Sequence, residues 1–95
     1  MPVIEGVTGI VSYKFWGKHV HMTRSHVEFI AQILTRPAEG VHVDDFNKKL
    51  HTLKVMSTRI NRLLEDQRPY NEPKIKVALR KHRFYIVFEE VVDLL

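Results

Sequence analysis

The sequence predicts an α+β chain with an N-terminal antiparallel sheet, three helices and a C-terminal β-hairpin. Three observations carry that expectation. Residues 3–22 are rich in β-branched and aromatic side chains, which suit a pleated surface. Residues 23–66 repeat apolar side chains at helical spacing. Residues 74–88 alternate again and are strongly basic.

Within 3–22, Val7, Ile10, Val11, Tyr13, Phe15 and Trp16 read as strand residues. Gly17-Lys18 supplies a hairpin turn. In the strand that follows, Val20 and Met22 face one side and His19 and His21 the other. Thr23 or Ser25 caps the first helix, and Ser25 with Glu28 makes a capping-box pattern. Val27, Ile30, Ala31, Ile33 and Leu34 form its apolar face. Pro37 ends it, because the residue before a proline avoids helical backbone. Residues 38–40 turn the chain.

Asp44 or Asp45 is placed to cap a second helix, with Phe46 and Leu50 inward. A third helix is expected from near Lys54 to near Asp66. It buries Met56, Ile60, Leu63 and Leu64 and turns Thr58, Arg59, Asn61, Arg62 and Glu65 outward. Residues 67–73, with two prolines, are a loop. The hairpin 74–88 turns near Arg80 to Arg83. Ile75, Val77 and Leu79 point inward, then Phe84 or Tyr85 with Ile86 and Phe88.

The length of 95 residues predicts one domain spanning 1–95. A hydrophobic share of 44% and a charged share of 27% are those of a soluble globular protein. The absence of cysteine excludes disulfide and thiolate chemistry. No apolar run approaches the ~20 residues needed to span a bilayer, and no basic-then-apolar leader is read at the N-terminus. A cytoplasmic location without membrane contact is expected, in a bacterial or phage-infected cell.

The net charge of +4 is modest, but its distribution is uneven. Lys54 to Arg83 holds nine Lys/Arg against Glu65, Asp66 and Glu72. A localised basic segment is the footprint of a polyanion binder. The order of strands, three helices and basic hairpin, with a short link between helices two and three, is compatible with a winged helix-turn-helix. In that motif the second helix of the pair enters the major groove.

Several local patterns then resemble the DNA-binding effector domain of OmpR/PhoB-type response regulators, over roughly Val3 to Phe88. Met22-Thr23 resembles the family's Leu-Thr before the first helix. Phe29, Ile30 and Ile33 fall on its core positions, and Pro37 sits where its Asn-Pro-Gly turn begins. Val43-Asp44-Asp45-Phe46 is similar to the segment opening its second helix. Met56 to Leu63 is similar to its recognition-helix pattern Val-Asp-x-His-Ile-x-x-Leu-Arg. Phe84-Tyr85 resembles the Gly-Tyr of its wing. The chain departs from the family in three places. Gly-x-Gly-Tyr becomes His82-Arg83-Phe84-Tyr85, without the glycines that tolerate positive φ. Leu64 replaces the arginine after the recognition-helix leucine. Glu65 and Asp66 follow, which confines phosphate contacts to the first two turns. The chain is expected to act without the family's receiver domain.

The resemblance implies a sequence-specific transcriptional regulator that binds double-stranded DNA. Arg59 and Arg62, three residues apart, offer donor forks for guanine or phosphate. Thr58 and Asn61 can hydrogen-bond bases or backbone, and Lys54 can reach a phosphate. Arg80, Lys81, His82 and Arg83 form the basic wing tip, with the Tyr85 hydroxyl near a phosphate. A homodimer on two half-sites about one DNA turn apart is expected, helped by an acidic and apolar tail at 89–95. The competing expectation is a winged-helix adaptor for RNA polymerase or a host factor, encoded by a phage for example. No cofactor is expected. His19 and His21 share a strand face but lack the further ligands that structural zinc needs. No catalytic constellation is evident, so an enzyme is not expected.

Overall fold

The structure is a computed structural model that describes residues 3–4 and 10–89, and side chains from 12 to 89. Among the described residues it is α+β, with two α-helices and two three-stranded sheets. Three helices and a single N-terminal sheet with a separate wing are therefore not what forms.

The first sheet has the order β1 (Val3–Ile4), β2 (Ile10–Phe15), β3 (Lys18–Thr23). Phe15 pairs with Lys18, so the turn is Trp16-Gly17, one residue earlier than expected. Both residues take positive φ, 52° and 75°, as a two-residue turn matched to strand twist requires. The Trp16 indole N–H donates to the Pro73 carbonyl at 2.8 Å and ties this turn to the loop before β5. Val20 and Met22 are buried while His19 and His21 are exposed, following the alternation.

Helix α1 is Arg24–Leu34. Thr23 is its cap, accepting the His26 N–H on its side-chain oxygen at 3.3 Å. Ser25 lies inside the first turn, so the Ser25–Glu28 capping box is not used. Val27, Phe29, Ile30 and Ile33 face the core. Ala31 and Leu34 are only half-buried.

The predicted second helix is replaced by one 3-10 turn, Val43–Asp45, after the short strand β4 (Val41–His42). Two contacts explain the replacement. The His42 ring nitrogen Nδ1 accepts the Asp44 N–H at 3.0 Å and closes a local turn. Phe46 is then drawn into the core against Phe29 and Phe84, at ring separations of 5.0 and 5.7 Å. Its backbone is extended there, φ −91° and ψ 137°, which no helix accommodates. Without that helix there is no helix-turn-helix among the described residues.

Helix α2 instead begins at Leu50 and runs to Gln67, absorbing the expected 54–66 segment. Leu53, Met56, Ser57, Ile60 and Leu64 are buried. Leu63 sits at the edge of this stripe, half-buried. Leu50 is 39% exposed rather than inward.

The second sheet has the order β4, β6 (Arg83–Glu89), β5 (Lys74–Arg80). The basic hairpin forms as expected, but it is a structural member of a sheet rather than a separate wing. β4 pairs with β6 through Val41–Phe84 and His42–Arg83. The hairpin buries Ile75, Val77, Phe84 and Ile86, so Phe84 rather than Tyr85 points inward. Leu79 and Phe88 continue the inward register but reach past the covered area, at 37% and 63% exposed. One hydrophobic cluster joins both sheets and both helices, with the Phe29, Phe46 and Phe84 rings tilted or edge-on to one another. The tail expected to pair two copies lies, at 90–95, outside the described residues, as does Val7.

Candidate nucleic-acid interface

The buried stripe of α2 fixes what its other side must be. At roughly 100° per residue, His51, Lys54, Val55, Thr58, Arg59 and Arg62 fall opposite Leu53, Met56, Ile60 and Leu64. These six residues line a shallow open depression of about 320 Å³. Lys54, Thr58, Arg59 and Arg62 were expected to face outward and do so. His51 and Val55 are additions. A helix beginning at Leu50, rather than near Lys54, is what brings His51 onto this face.

Charge on the face is unbalanced. Neither Arg59 nor Arg62 has a carboxylate within ion-pair distance among the described residues. Glu65 would be the natural partner of Arg62 one turn away. It is held instead by Arg68, whose Nη2 and Nε donate to its two oxygens at 2.9 and 3.2 Å. The Arg68 hydrogen bonds hold the Glu65 carboxyl below its ordinary range. Arg68 also donates to the Glu72 carbonyl at 3.1 Å, so the pair belongs to the loop beyond α2. Lys76 pairs with Glu89 at 2.7 Å.

The start of α2 adds to the imbalance. No acid lies in its first turn, and its cap residue Lys49 makes no side-chain cap. Lys48, Lys49, His51 and Lys54 therefore surround the positive end of a helix dipole, the reverse of the stabilising arrangement. The nearest acids in sequence, Asp44 and Asp45, lie in the 3-10 turn, with Asp44 Oδ2 3.6 Å from His42.

The Arg59 charge is also felt in the first turn of α1. The His26 imidazole is driven below its ordinary pKa, first by burial and then by the Arg59 charge.

Asn61 is not an outward residue. Its carboxamide donates to the Val77 carbonyl at 3.0 Å and accepts the Val77 N–H at 2.7 Å. It joins α2 to β5 and is removed from the set that could touch a base. Thr58 donates its hydroxyl to the Lys54 carbonyl at 3.1 Å and keeps only its lone pairs for a ligand.

At the hairpin, Arg80, Lys81 and His82 are exposed. Arg80 pairs with Arg83, leaving Lys81-His82 as a two-residue turn with φ of 50° and 62°. Arg83 turns back instead, donating from Nη1 to the Gly40 carbonyl at 3.3 Å. Tyr85 is half-buried over Gly40. The tip lies toward the start of α2: β5 runs back from the loop that follows the helix, and Val43, seven residues before Leu50, donates its N–H to the His82 carbonyl at 2.8 Å.

Of the cations singled out in sequence, Lys54, Arg59, Arg62, Arg80 and Lys81 are exposed, but patterning could not separate Arg83 and Asn61, which serve the fold, from their neighbours. A second depression of about 260 Å³ lies between α1 and residues 46–48, over Phe29, Phe46 and Leu53, and holds none of the expected site residues. Among the described residues, no three His, Asp or Glu come together as metal ligands. No helix there is long and apolar enough to cross a membrane. The chain matches no protein-family model, no curated protein and no solved structure.

Proposed function

We propose that the chain is a sequence-specific regulator that binds double-stranded DNA, acting in the cytoplasm. The observation that carries this reading is the outward face of α2, where Lys54, Arg59 and Arg62 lack carboxylate partners among the described residues. A helix with its side chains fits the major groove, and arginine forks there meet guanine O6 and N7. Arg59 and Arg62 take that role. Lys54, with Lys48 and Lys49 at the positive helix end, takes phosphates. Arg80 and Lys81, toward the same end, extend the phosphate contacts.

The test is a binding titration on a selected duplex and a random duplex at two salt concentrations. Lys81→Ala should weaken both duplexes alike and lower the salt slope by about 0.9, the share of one phosphate contact. Arg59→Ala should weaken the selected duplex more than the random one, by ~1–3 kcal/mol if it reads a guanine. Equal losses on both would remove the base-reading role. No retention of any duplex at low salt would exclude DNA as the partner and favour a protein ligand for the same face.

A further inference from the structure

Val55 is an aliphatic residue of α2 that packs neither in the core nor against it. It is half-buried on the outward side of α2, among His51, Lys54, Thr58, Arg59 and Arg62. A β-branched side chain on an exposed helix face is also a poor choice for helix stability, by up to ~0.7 kcal/mol against alanine. A face that held only phosphates would gain nothing from an aliphatic group at its centre.

We infer that Val55 reads the 5-methyl group of thymine, making it a specificity-determining residue and duplex DNA, not duplex RNA, the partner. This rests on the placement of α2 in the major groove proposed above. Thymine is the one base that presents a methyl group on the major-groove edge, and apolar side chains contact it there. The flanking cations bring the helix to the backbone, and Val55, between them, meets the base edges. Uracil lacks the methyl, and the deep narrow major groove of A-form RNA excludes a helix.

The experiment uses the full chain and duplexes enriched from a random DNA pool, remade with every thymine replaced by uracil. Base pairing and phosphates are unchanged, so only the methyl groups differ. Wild type should bind the thymine form about four-fold tighter for each methyl contacted, the equivalent of ~0.8 kcal/mol per buried methyl. Val55→Ala, shortened to its Cβ, should bind with a reduced preference for the thymine form while keeping the wild-type salt slope. Val55→Thr, which retains one methyl, should keep part of the preference. Equal wild-type affinity for the two forms, with Arg59→Ala still weakening both, overturns the role of Val55 and leaves groove binding intact. Failure to retain or enrich any duplex overturns both.

Discussion

Asn61 on α2 saturates both backbone polar groups of Val77 on β5, at 2.7 and 3.0 Å. β5 is an edge strand of its sheet, so these groups have no neighbouring strand to pair with. The carboxamide stands where a ladder partner would, and exposed edges invite association. Asn61→Ala should destabilise the fold by about 1–3 kcal/mol, the penalty for orphaned buried polar groups, and should increase self-association. Urea unfolding and sedimentation would measure the two effects. Affinity for DNA, on the function proposed above, should hold in the folded fraction, because the side chain is turned toward β5 and away from the outward face of α2. An unchanged urea midpoint would mean that water replaces the amide at no loss.

The tip of the basic hairpin is strained. Lys81 and His82 both hold positive φ without glycine, a conformation that costs an L-residue about 1–2 kcal/mol. Histidine tolerates it better than most residues, and glycine best of all. His82→Gly should therefore stabilise the chain by about 1 kcal/mol, read as a shift in the thermal midpoint. A destabilised His82→Gly variant would show that the imidazole makes a compensating contact, for which His42, at 6.3 Å between ring centres, is the candidate.

Gly40 is closed to any side chain. Its φ is +73°, and a Cβ there would lie 2.7 Å from two ring atoms of Tyr85. Gly40→Ala should cost about 2–4 kcal/mol, from the left-handed backbone and the overlap together. Adding Tyr85→Ala removes the overlap alone. A double-mutant cycle should therefore show favourable coupling between the two substitutions. Strict additivity would place the whole penalty in the backbone.

The legible parts of the fold were those set by local periodicity. The alternation around Val20 and Met22, the apolar stripe of Met56 and Ile60 and the basic hairpin all declare themselves in sequence. What could not be read was decided by distant partners. Asp44 and Asp45 look like helix caps, yet Phe46 is pulled straight by Phe29 and Phe84, which lie far from it in sequence. Asn61 has the spacing of an outward residue, and only the arrival of β5 beside α2 gives it another role. Glu65 looks placed to neutralise Arg62 until Arg68, at the bend beyond the helix, takes it. Val55 carried no signal at all, since an aliphatic residue in a helix reads as core until the core is seen without it.

His26 links the cationic face to pH. Burial and then the Arg59 charge favour its neutral form, so its folded pKa lies below the ordinary value of 6.5. Between that lowered value and 6.5 the unfolded chain binds more protons than the folded one. Stability must then rise with pH through this window and be lower on its acid side. Glu65 and Glu89, both held below their ordinary range, act in the same direction at more acid pH, so the window near neutrality isolates His26. His26→Gln should flatten the stability profile there, measured by urea unfolding at several pH values. Arg59→Gln should move the imidazole titration upward in an NMR experiment, because one of the two causes is gone. A polyanion seated on Arg59 should do the same, so bound DNA would raise the His26 pKa and binding would strengthen as pH falls through the window. A His26 imidazole that titrates at or above 6.5 in the free protein would break this link at its first step.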